Sequence, residues 1–388
     1  MSKKLILVMV FALVFAFSCA AYAEVQNVKI GGDITAVGIS RESLDFEKGF
    51  DSETSANNEF ASIARIKIDA DLTDGVSVTF RLLNERVWGG STTGTSASNV
   101  SESEVDVDLA YITLKEFMKP TINVPVNLII GRQNIKIGSG LMIGAAGTNQ
   151  GNTTQLPVGA SDLSARGAFD AIVSVWDFTP ELSVIAGFAK VTEGVTTEGK
   201  DTDAYILDAT YKLGENAMNT VLEGTFVGSR TVRGNVSNYG GRVTSTPITD
   251  LNVEGEYVYQ VSNALSKTDN AADAVRANAT YTLSEVAWKP ALGVDYMKLS
   301  KYWNALHESI VPADLTNLLF DNSNLSVIGA SVSAKPMDDL TLKLRYANLS
   351  KASKNAPAAL NDSFIAAGNA DKKALGYEVD AGLVYDYT

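Results

Sequence analysis

The feature that most constrains this chain is a strict alternation of apolar and polar residues over positions 64–82. On both sides of Thr73-Asp74-Gly75, every second residue is apolar and its neighbours are polar. A helix would spread these charges over its whole circumference, whereas a β-strand places them all on one face. An Asp-Gly turn between two such runs is typical of a β-hairpin. The segment therefore predicts two antiparallel strands that share one apolar face.

The same alternation recurs further along the chain without any strict sequence repeat. Comparable apolar stripes lie in residues 205–213, 251–259, 275–281 and 340–346. In residues 105–111 the alternation predicts one apolar face and one acidic face, formed by Val105, Val107, Leu109 and Tyr111 against Asp106 and Asp108. Half-apolar strands repeated in this way indicate an all-β fold.

The connections between these runs alternate in length. Seven short turns rich in Asp, Gly, Asn and Pro lie near residues 73–75, 115–125, 177–181, 214–218, 246–250, 284–290 and 335–339. Eight longer segments rich in Ser, Thr, Asn, Gly and Ala lie near residues 41–59, 89–103, 138–168, 192–203, 228–238, 262–273, 301–323 and 350–374. Outer-membrane barrels separate short periplasmic turns from long extracellular loops in the same way. Seven turns join fourteen strands, and one further strand at each end makes sixteen.

Apolar faces on this many strands must all be buried, and a lipid bilayer can bury them. In hydrocarbon the sheet must close, because an open edge leaves backbone groups unpaired. Aromatic residues near strand ends are typical of the girdles of such barrels, here Trp88, Trp176, Phe178 and Trp288. The sequence predicts a transmembrane antiparallel up-and-down β-barrel of 16 strands, or of 18 if the chain continues past Thr388. A soluble β-sandwich is the alternative.

The composition excludes several classes of function. The chain of 388 residues has a formal net charge of −13, with one Cys and one His. A disulfide-stapled fold and a Cys/His zinc site each need several of these residues. The acidic balance argues against nucleic acid as a partner. No Walker loop, dinucleotide fingerprint or nucleophile elbow is present with the right flanks, so we expect no catalytic residues, no metal and no cofactor.

The first residues have the pattern of a secretory signal peptide. Lys3 and Lys4 precede an apolar core over residues 5–17, and Ala21-Tyr22-Ala23 forms a cleavage site before Glu24. We expect residues 1–23 to be a signal peptide and residues 24–388 to form the barrel. The alternative is a lipoprotein signal lipidated at Cys19, to which the preceding residues are a poor match. Either reading predicts export through the inner membrane to the bacterial outer membrane.

The polar face of each strand is the candidate functional surface, because a barrel of this size encloses an aqueous lumen. Basic candidates for the pore wall are Arg65, Lys67, Arg81, Arg242, Arg276, Lys343 and Arg345. Acidic candidates are Asp69, Asp71, Asp106, Asp108, Glu254, Glu256, Glu378 and Asp380. The two sets nearly balance, so the composition of the wall demands neither anion nor cation selectivity. Hydration and cross-strand pairing are the alternative role of each residue.

One long loop is the candidate constriction of the pore. Residues 138–168 form the longest connection, and it begins with a run rich in Gly and Ala that would let it fold against the inner wall. The alternative is an ordinary external loop. His307, the only histidine, lies in the 301–323 segment beside Glu308, where we expect it to be solvated rather than catalytic.

Several short motifs together resemble the alginate export family of outer-membrane porins. They are Gly131-Arg132-Gln133 before the long loop, Arg166-Gly167-Ala168-Phe169-Asp170-Ala171 after it, Tyr239-Gly240, Glu254-Gly255-Glu256-Tyr257 with Gln260, and Gly376-Tyr377-Glu378-Val379-Asp380. The resemblance implies an 18-stranded barrel with an arginine-lined pore for a polyanionic polysaccharide or small solutes. It also implies that Arg132 and Asp170 line the pore. Alternation alone is ambiguous for Arg132, because Leu128 and Ile130 share its parity.

Taken together, these observations predict an outer-membrane porin for passive diffusion of small hydrophilic solutes, with acidic sugars or polysaccharide export as candidate cargo. The alternative is a surface adhesin or receptor barrel with an occluded lumen. The expected partners are outer-membrane lipid and small hydrophilic or anionic solutes. The oligomeric state is left open.

Overall fold

The structure is a computed structural model that describes residues 26–41, 57–88, 105–117, 119, 121, 124–144, 164–192, 201–231, 234–263, 271–304, 307, 309–310, 313, 322–354 and 373–386. The predicted signal peptide and residues 145–163 of the long loop lie outside these ranges. Within them, no helix is long and apolar enough to cross a membrane.

The described residues form a single sheet of sixteen strands. The strands are β1 (Gln26–Arg41), β2 (Asn57–Thr73), β3 (Val76–Val87), β4 (Asp106–Leu114), β5 (Val126–Asn134), β6 (Ala168–Asp177), β7 (Leu182–Thr192), β8 (Thr202–Lys212), β9 (Val221–Thr231), β10 (Gly234–Ile248), β11 (Leu251–Ser262), β12 (Ala271–Thr282), β13 (Ala291–Leu299), β14 (Leu325–Met337), β15 (Leu340–Lys351) and β16 (Ala374–Tyr385). Each strand pairs with its neighbours in the chain, so the topology is up-and-down throughout. The predicted all-β up-and-down fold is confirmed. These strands form one sheet, not the two sheets of a β-sandwich.

In the predicted hairpin, β2 and β3, the alternation of polar and apolar residues matches the register of the paired strands. Asp69 pairs with Thr79 and Ile68 with Phe80 across the turn at residues 74–75. Polar residues therefore face polar residues and apolar residues face apolar ones, which is how a two-faced antiparallel pair is stabilised.

The connections alternate in length as predicted, with one exception. All seven short turns lie between paired strands, and seven of the eight long segments separate strands. The predicted loop at 228–238 is wrong, because β9 runs to Thr231 and β10 begins at Gly234. Pairs such as Ser229 with Val236 extend the hairpin through this segment. Its Gly and Ser content suggested a loop, but Val227, Ser229 and Val236 are all buried on one face of the paired strands.

The two faces of the sheet have different surroundings. The outer face carries large apolar side chains without a protein partner over them, such as Leu207, 50% exposed, and Ile328, 61% exposed. The inner face carries the charged residues and packs against residues of the long connections. Aromatic residues near the strand ends form the stacked pairs Trp176–Phe178 and Phe60–Trp88. An apolar outer band with aromatic ends is typical of a barrel in lipid.

A register shift changes the faces of β4. Arg81 pairs with Leu109 but Leu82 pairs with Val107, so Asp108 is an extra residue on β4. A β-bulge of this kind places two successive residues on one side. Leu109 is consequently only 4% exposed, whereas Val107 is 43% exposed. The predicted stripe over residues 105–111 is therefore wrong beyond the bulge, and Leu109 shares the inner face with Asp108.

Candidate functional site: a charged inner wall and a two-loop plug

Residues of two long connections pack together against the inner face. The first group is residues 135–144, which follow β5, and the second lies between β13 and β14. We call them together the plug; its buried members are Ile135, Ile137, Leu141, Met142, Ile143, Trp303, His307, Ile310 and Ala313. They pack against small or branched residues of the wall, which include Ala189, Ala204, Val227, Val258 and Ala274. The plug therefore covers the inner face of β6–β15 with an apolar core.

Glycines make this close packing possible. A Cβ at Gly240 would overlap the end of the Met142 side chain, and a Cβ at Gly138 would come within 2.8 Å of the Glu223 carboxylate. Gly138 also has a φ of 56°, a conformation that favours glycine. The Gly-rich start of the long loop thus lets its backbone lie directly on the wall. Residues 138–144 of the predicted constriction are placed inside the barrel.

The other described end of the same loop contacts a different part of the wall. The Ala165 N–H donates to Glu85 over 2.7 Å, and the Ser164 hydroxyl donates to the same carboxylate over 2.9 Å. Arg166 pairs with Glu85 over 3.4 Å and also with Asp106. One end of the loop therefore reaches β9–β11 and the other reaches β3 and β4.

A row of alternating charges crosses β9–β12 beside the plug. Arg242 donates to Glu223 over 2.7 Å and to Glu254 over 2.8 Å. Glu254 also accepts from Arg276, and Asn278 donates to it over 3.1 Å. We call these residues, Glu223, Arg242, Glu254 and Arg276, the charge ladder. Each arginine is held by at least one carboxylate, so the ladder is a rigid, hydrogen-bonded part of the wall.

The wall beside the charge ladder is joined to the plug by one side chain of the loop. The Ser139 hydroxyl donates to Glu256, which is buried on the inner face of β11. Glu256 is therefore a site where the plug is attached to the wall rather than a freely solvated pore residue. A buried carboxylate needs such a partner, because an unpaired one costs far more free energy than a surface acid.

The wall of β1–β4 is charged as well, but the described plug residues do not cover it. Arg65 donates to Asp33 over 2.8 Å, and Lys67 pairs with Asp69 over 2.8 Å. On the next strands Arg81 pairs with Asp108 over 2.5 Å. The predicted residues Arg65, Lys67 and Arg81 share one face of the sheet, and each lies beside a carboxylate.

A third charged cluster lies on β13–β16. Arg345 donates to Asp295 over 2.8 Å and lies 3.8 Å from Asp380. The contact passes over β14 at Gly329, where a Cβ would overlap the Asp295 carboxylate. Lys343 occupies the same inner stripe as Arg345, two residues away. The five basic and acidic positions predicted on β11, β12 and β15 all have the parity of the inner face; they are Glu254, Glu256, Arg276, Lys343 and Arg345.

Arg132 and Asp170 lie elsewhere. They face each other across β5 and β6 with an Nη1–Oδ2 distance of 3.2 Å. The next pair in the same stripe is Ile130 with Ile172, and Ile172 is half exposed on the outer face. Asp170 continues the stripe to Lys190 on β7. The structure contradicts the expectation that Arg132 and Asp170 line the pore, because no bulge in β5 reverses their parity.

Several residues of the site were missed by sequence reasoning. Glu223 and Asp295 complete the ion pairs, and Glu85 anchors the long loop. All three occupy the polar parity of their strands, which was the signal that could have found them. His307 was expected to be solvated but is 2% exposed, with its Nε2 atom 2.7 Å from the Ser229 hydroxyl. Burial by another loop leaves no local pattern, so this correction was not accessible from sequence.

Among the described residues, no group of three or more His, Cys, Asp and Glu side chains is arranged to hold a metal ion. The acids of the charge ladder are instead occupied by arginine and asparagine donors. The arrangement can exclude, orient or pass polar solutes, and it presents them with a wall of paired charges.

The family described as Alginate export matches residues 36–300. No curated protein matches. Salmonella typhi OmpF, solved in complex with daunomycin, is similar over 92% of this chain and 97% of its own, with 9% sequence identity and a TM-score of 0.50. OmpT, an outer-membrane protein of Vibrio cholerae solved in a trimer form, is similar over 92% of this chain and 99% of its own, with 13% identity and a TM-score of 0.46.

The likeness to OmpF agrees with the strand topology. The likeness to OmpF shows the fold alone, which is that of a porin-type β-barrel of the outer membrane. The family match covers more than half of the chain, from within β1 to the end of β13. The chain belongs to the alginate export family.

Proposed function

We propose that this protein is an outer-membrane channel through which small hydrophilic solutes diffuse passively, narrowed by the plug. The observation that carries the proposal is the attachment of both described ends of the long loop to the inner wall. Its first residues attach to Glu256 and its last residues attach to Glu85, on different parts of the inner wall. A loop held at both places reduces the cross-section open to solutes.

The charges of the wall support a general hydrophilic pore more than a conduit for one polyanion. Every predicted arginine of the inner face has a carboxylate partner; these are Arg65, Arg81, Arg242, Arg276 and Arg345. Compensation at short range weakens the long-range field that would attract a polyuronate. Paired charges still keep the lumen hydrated. Small neutral or charged solutes fit such a wall, and acidic sugars are one class to test.

We also propose the route by which the protein reaches its membrane. Residues 1–23 would direct export through the inner membrane and be removed, leaving a chain that starts at Glu24. The mature barrel would then contact outer-membrane lipid through its apolar outer face. This chemistry requires no catalytic group, and the protein acts as a transporter rather than an enzyme.

The test is single-channel conductance of the refolded chain 24–388 in a planar bilayer. Uronate oligomers are added on one side, and neutral oligosaccharides of the same length serve as the matched control. A gel shift on boiling checks that the barrel is folded. Discrete steps of conductance support the channel, and a folded barrel without steps overturns it.

The same recordings decide the solute class. Transient block by uronates but not by neutral oligosaccharides assigns acidic sugars as cargo and contradicts a general pore. Equal block, or none, supports passage of hydrophilic solutes without such preference. Deletion of residues 141–160 should raise the step size, because it removes most of the loop; an unchanged step size contradicts the constriction.

A further inference from the structure

The connection between β13 and β14 takes part in the plug as closely as the long loop does. We call it the seventh connection, because it is the seventh of the eight long segments of the sequence. We propose that its described residues, 300–304, 307, 309–310, 313 and 322–324, hold the long loop in place, and that His307 and Gln260 are the positioning residues that set the width of the channel. The inference rests on the proposed channel function. It assigns the constriction to two loops acting as a unit instead of one.

The first anchor is a pair of hydrogen bonds from the wall to the backbone of the seventh connection. The Gln260 side chain accepts from the Asn304 N–H over 2.8 Å and donates to the Asn304 carbonyl over 3.0 Å. The same side-chain amide donates to Asn238 over 2.8 Å, which fixes its orientation. Gln260 is 1% exposed. Because the buried Gln260 amide bonds both the N–H and the carbonyl of Asn304, it fixes this residue against β11.

The second anchor is His307. Its Nε2 atom lies 2.7 Å from the Ser229 hydroxyl on β9, and its ring packs edge-on against Phe169 on β6. The imidazole therefore contacts two wall strands that lie on either side of β7 and β8. An ordinary solvated loop histidine has no such contacts, so a wall-bound role explains why the side chain is buried.

The seventh connection then binds the long loop through its backbone. The Gly144 N–H donates to the His307 carbonyl over 2.8 Å, and the Ser309 N–H donates to the Gly140 carbonyl over 2.9 Å. Ile143 and His307 form a parallel β-bridge between these bonds. Cβ atoms at Gly140 and Gly144 would overlap Ser309, so the two glycines permit the contact.

These contacts form a chain from wall to plug. Ser229 and Gln260 hold the seventh connection, and His307 with Ser309 holds residues 140–144. Releasing the seventh connection would take hydrogen-bond partners from buried backbone groups of the long loop, which is unfavourable inside an apolar core. The anchor on β9 and β11 should therefore control how long the plug stays in the lumen.

The experiment compares four variants of the chain 24–388 in the planar bilayer. His307→Leu fills a similar volume with an apolar side chain but cannot make the hydrogen bond to Ser229. His307→Gln places an amide near the position of Nε2. Ser229→Ala removes the partner hydroxyl. Ser326→Ala is the matched control, because it makes the same change on the outer face of β14. The boiling shift on a gel confirms that each barrel is folded.

We expect His307→Leu and Ser229→Ala to shorten the dwell time of the narrow state by about tenfold, the factor that corresponds to one buried hydrogen bond. His307→Gln should restore most of the wild-type dwell time, and Ser326→Ala should leave it unchanged. The combination of His307→Leu with Ser229→Ala should be no worse than either alone, because both remove the same contact.

Two results would overturn the inference. One is a folded His307→Leu channel with wild-type conductance and dwell times, while deletion of residues 141–160 still widens the pore. The other is a defect in His307→Leu that adds fully to that of Ser229→Ala. A wild-type barrel without conductance would instead overturn the channel function itself, so the two failures are distinguishable.

Discussion

The inner wall of this barrel consists of two unlike regions. Beneath the plug, wall residues such as Ala189, Ala204, Val227 and Val258 are small or branched, apolar and fully buried. On β1–β4 the same face carries charged pairs such as Arg65–Asp33 that stay partly exposed. Both regions belong to one sheet with one alternation, so strand pattern alone does not determine which chemistry faces the lumen. What covers the wall determines it.

The physical reason is the cost of burying unpaired polar groups. A charged side chain under the plug loses water and needs a hydrogen-bond partner there, as Glu256 has in Ser139. On the open wall, water and a neighbouring carboxylate both remain available. The charge ladder lies at the border of the area that the plug covers, on β9–β12, where Glu254 pairs with both Arg242 and Arg276. Variants that change one region, each with a matched control, test this difference.

The largest effect is expected from a side chain at Gly240, where the plug lies directly on the wall. Gly240→Val should displace Met142 and with it the plug, which lowers the free energy of unfolding by about 2–3 kcal/mol and raises conductance. Gly31→Val is the matched change on the open wall, where no atom lies within 4 Å of the added Cβ. Urea unfolding in detergent and single-channel recording measure both. Equal effects of the two variants would contradict the comparison.

A smaller effect is expected from removing one acid at the border. Glu254→Gln leaves Arg276 without its carboxylate partner and Arg242 with Glu223 alone, so the free energy of unfolding should fall by about 1–2 kcal/mol. Asp33→Asn on the open wall should cost about 0–1 kcal/mol, because that pair is solvent-exposed. Urea titration compares them, and a larger loss for Asp33→Asn would show that the border is no more buried than the open wall.

A third variant tests the ion pair between β13 and β15 that passes over Gly329 on β14. Gly329→Ala places a methyl group where the Asp295 carboxylate lies, so Arg345 should lose this contact. The free energy of unfolding should then fall by about 1 kcal/mol. Gly255→Ala, at a position with no atom within 4 Å of the added Cβ, is the control. A reversal potential in a salt gradient reports the change in wall charge pairing. No difference between the two alanine variants would exclude a role for the Arg345–Asp295 pair.

The smallest effect is expected on the outer face. Arg132→Gln and Asp170→Asn should leave conductance and reversal potential at wild-type values, because both residues share the stripe of Ile130 and Ile172. Arg65→Gln is the matched inner-face change and should shift the reversal potential towards cation preference. A shift from Arg132→Gln as large as that from Arg65→Gln would return Arg132 to the pore wall.

Local pattern was sufficient to predict much of the fold. The alternation in residues 64–82 determines strand type, turn and face together, since neither strand could turn over without burying charge in lipid. The bulge at Asp108 was hidden, because adding one residue changes parity without changing composition. For Arg132 the parity itself pointed outward, and only the family resemblance suggested the pore.

The site was less accessible than the fold. Glu254 and Arg242 could be placed on the polar stripe, but the distances that make them one ladder depend on strand register. His307 and Gln260 act through a contact between connections far apart in sequence, and no local spacing encodes such a contact. Pattern therefore predicts which face a residue takes, while tertiary packing decides what covers it.

The most direct test of the two-region wall is reactivity towards a water-soluble thiol reagent during single-channel recording. The chain 24–388 contains no cysteine, since Cys19 precedes it, so single cysteines can be read without background. We predict that Lys67→Cys reacts and lowers conductance, that Val258→Cys reacts only when Gly240→Val displaces the plug, and that Ile172→Cys does not react. Reaction of Ile172→Cys, or protection of Lys67→Cys in an open channel, would contradict the account.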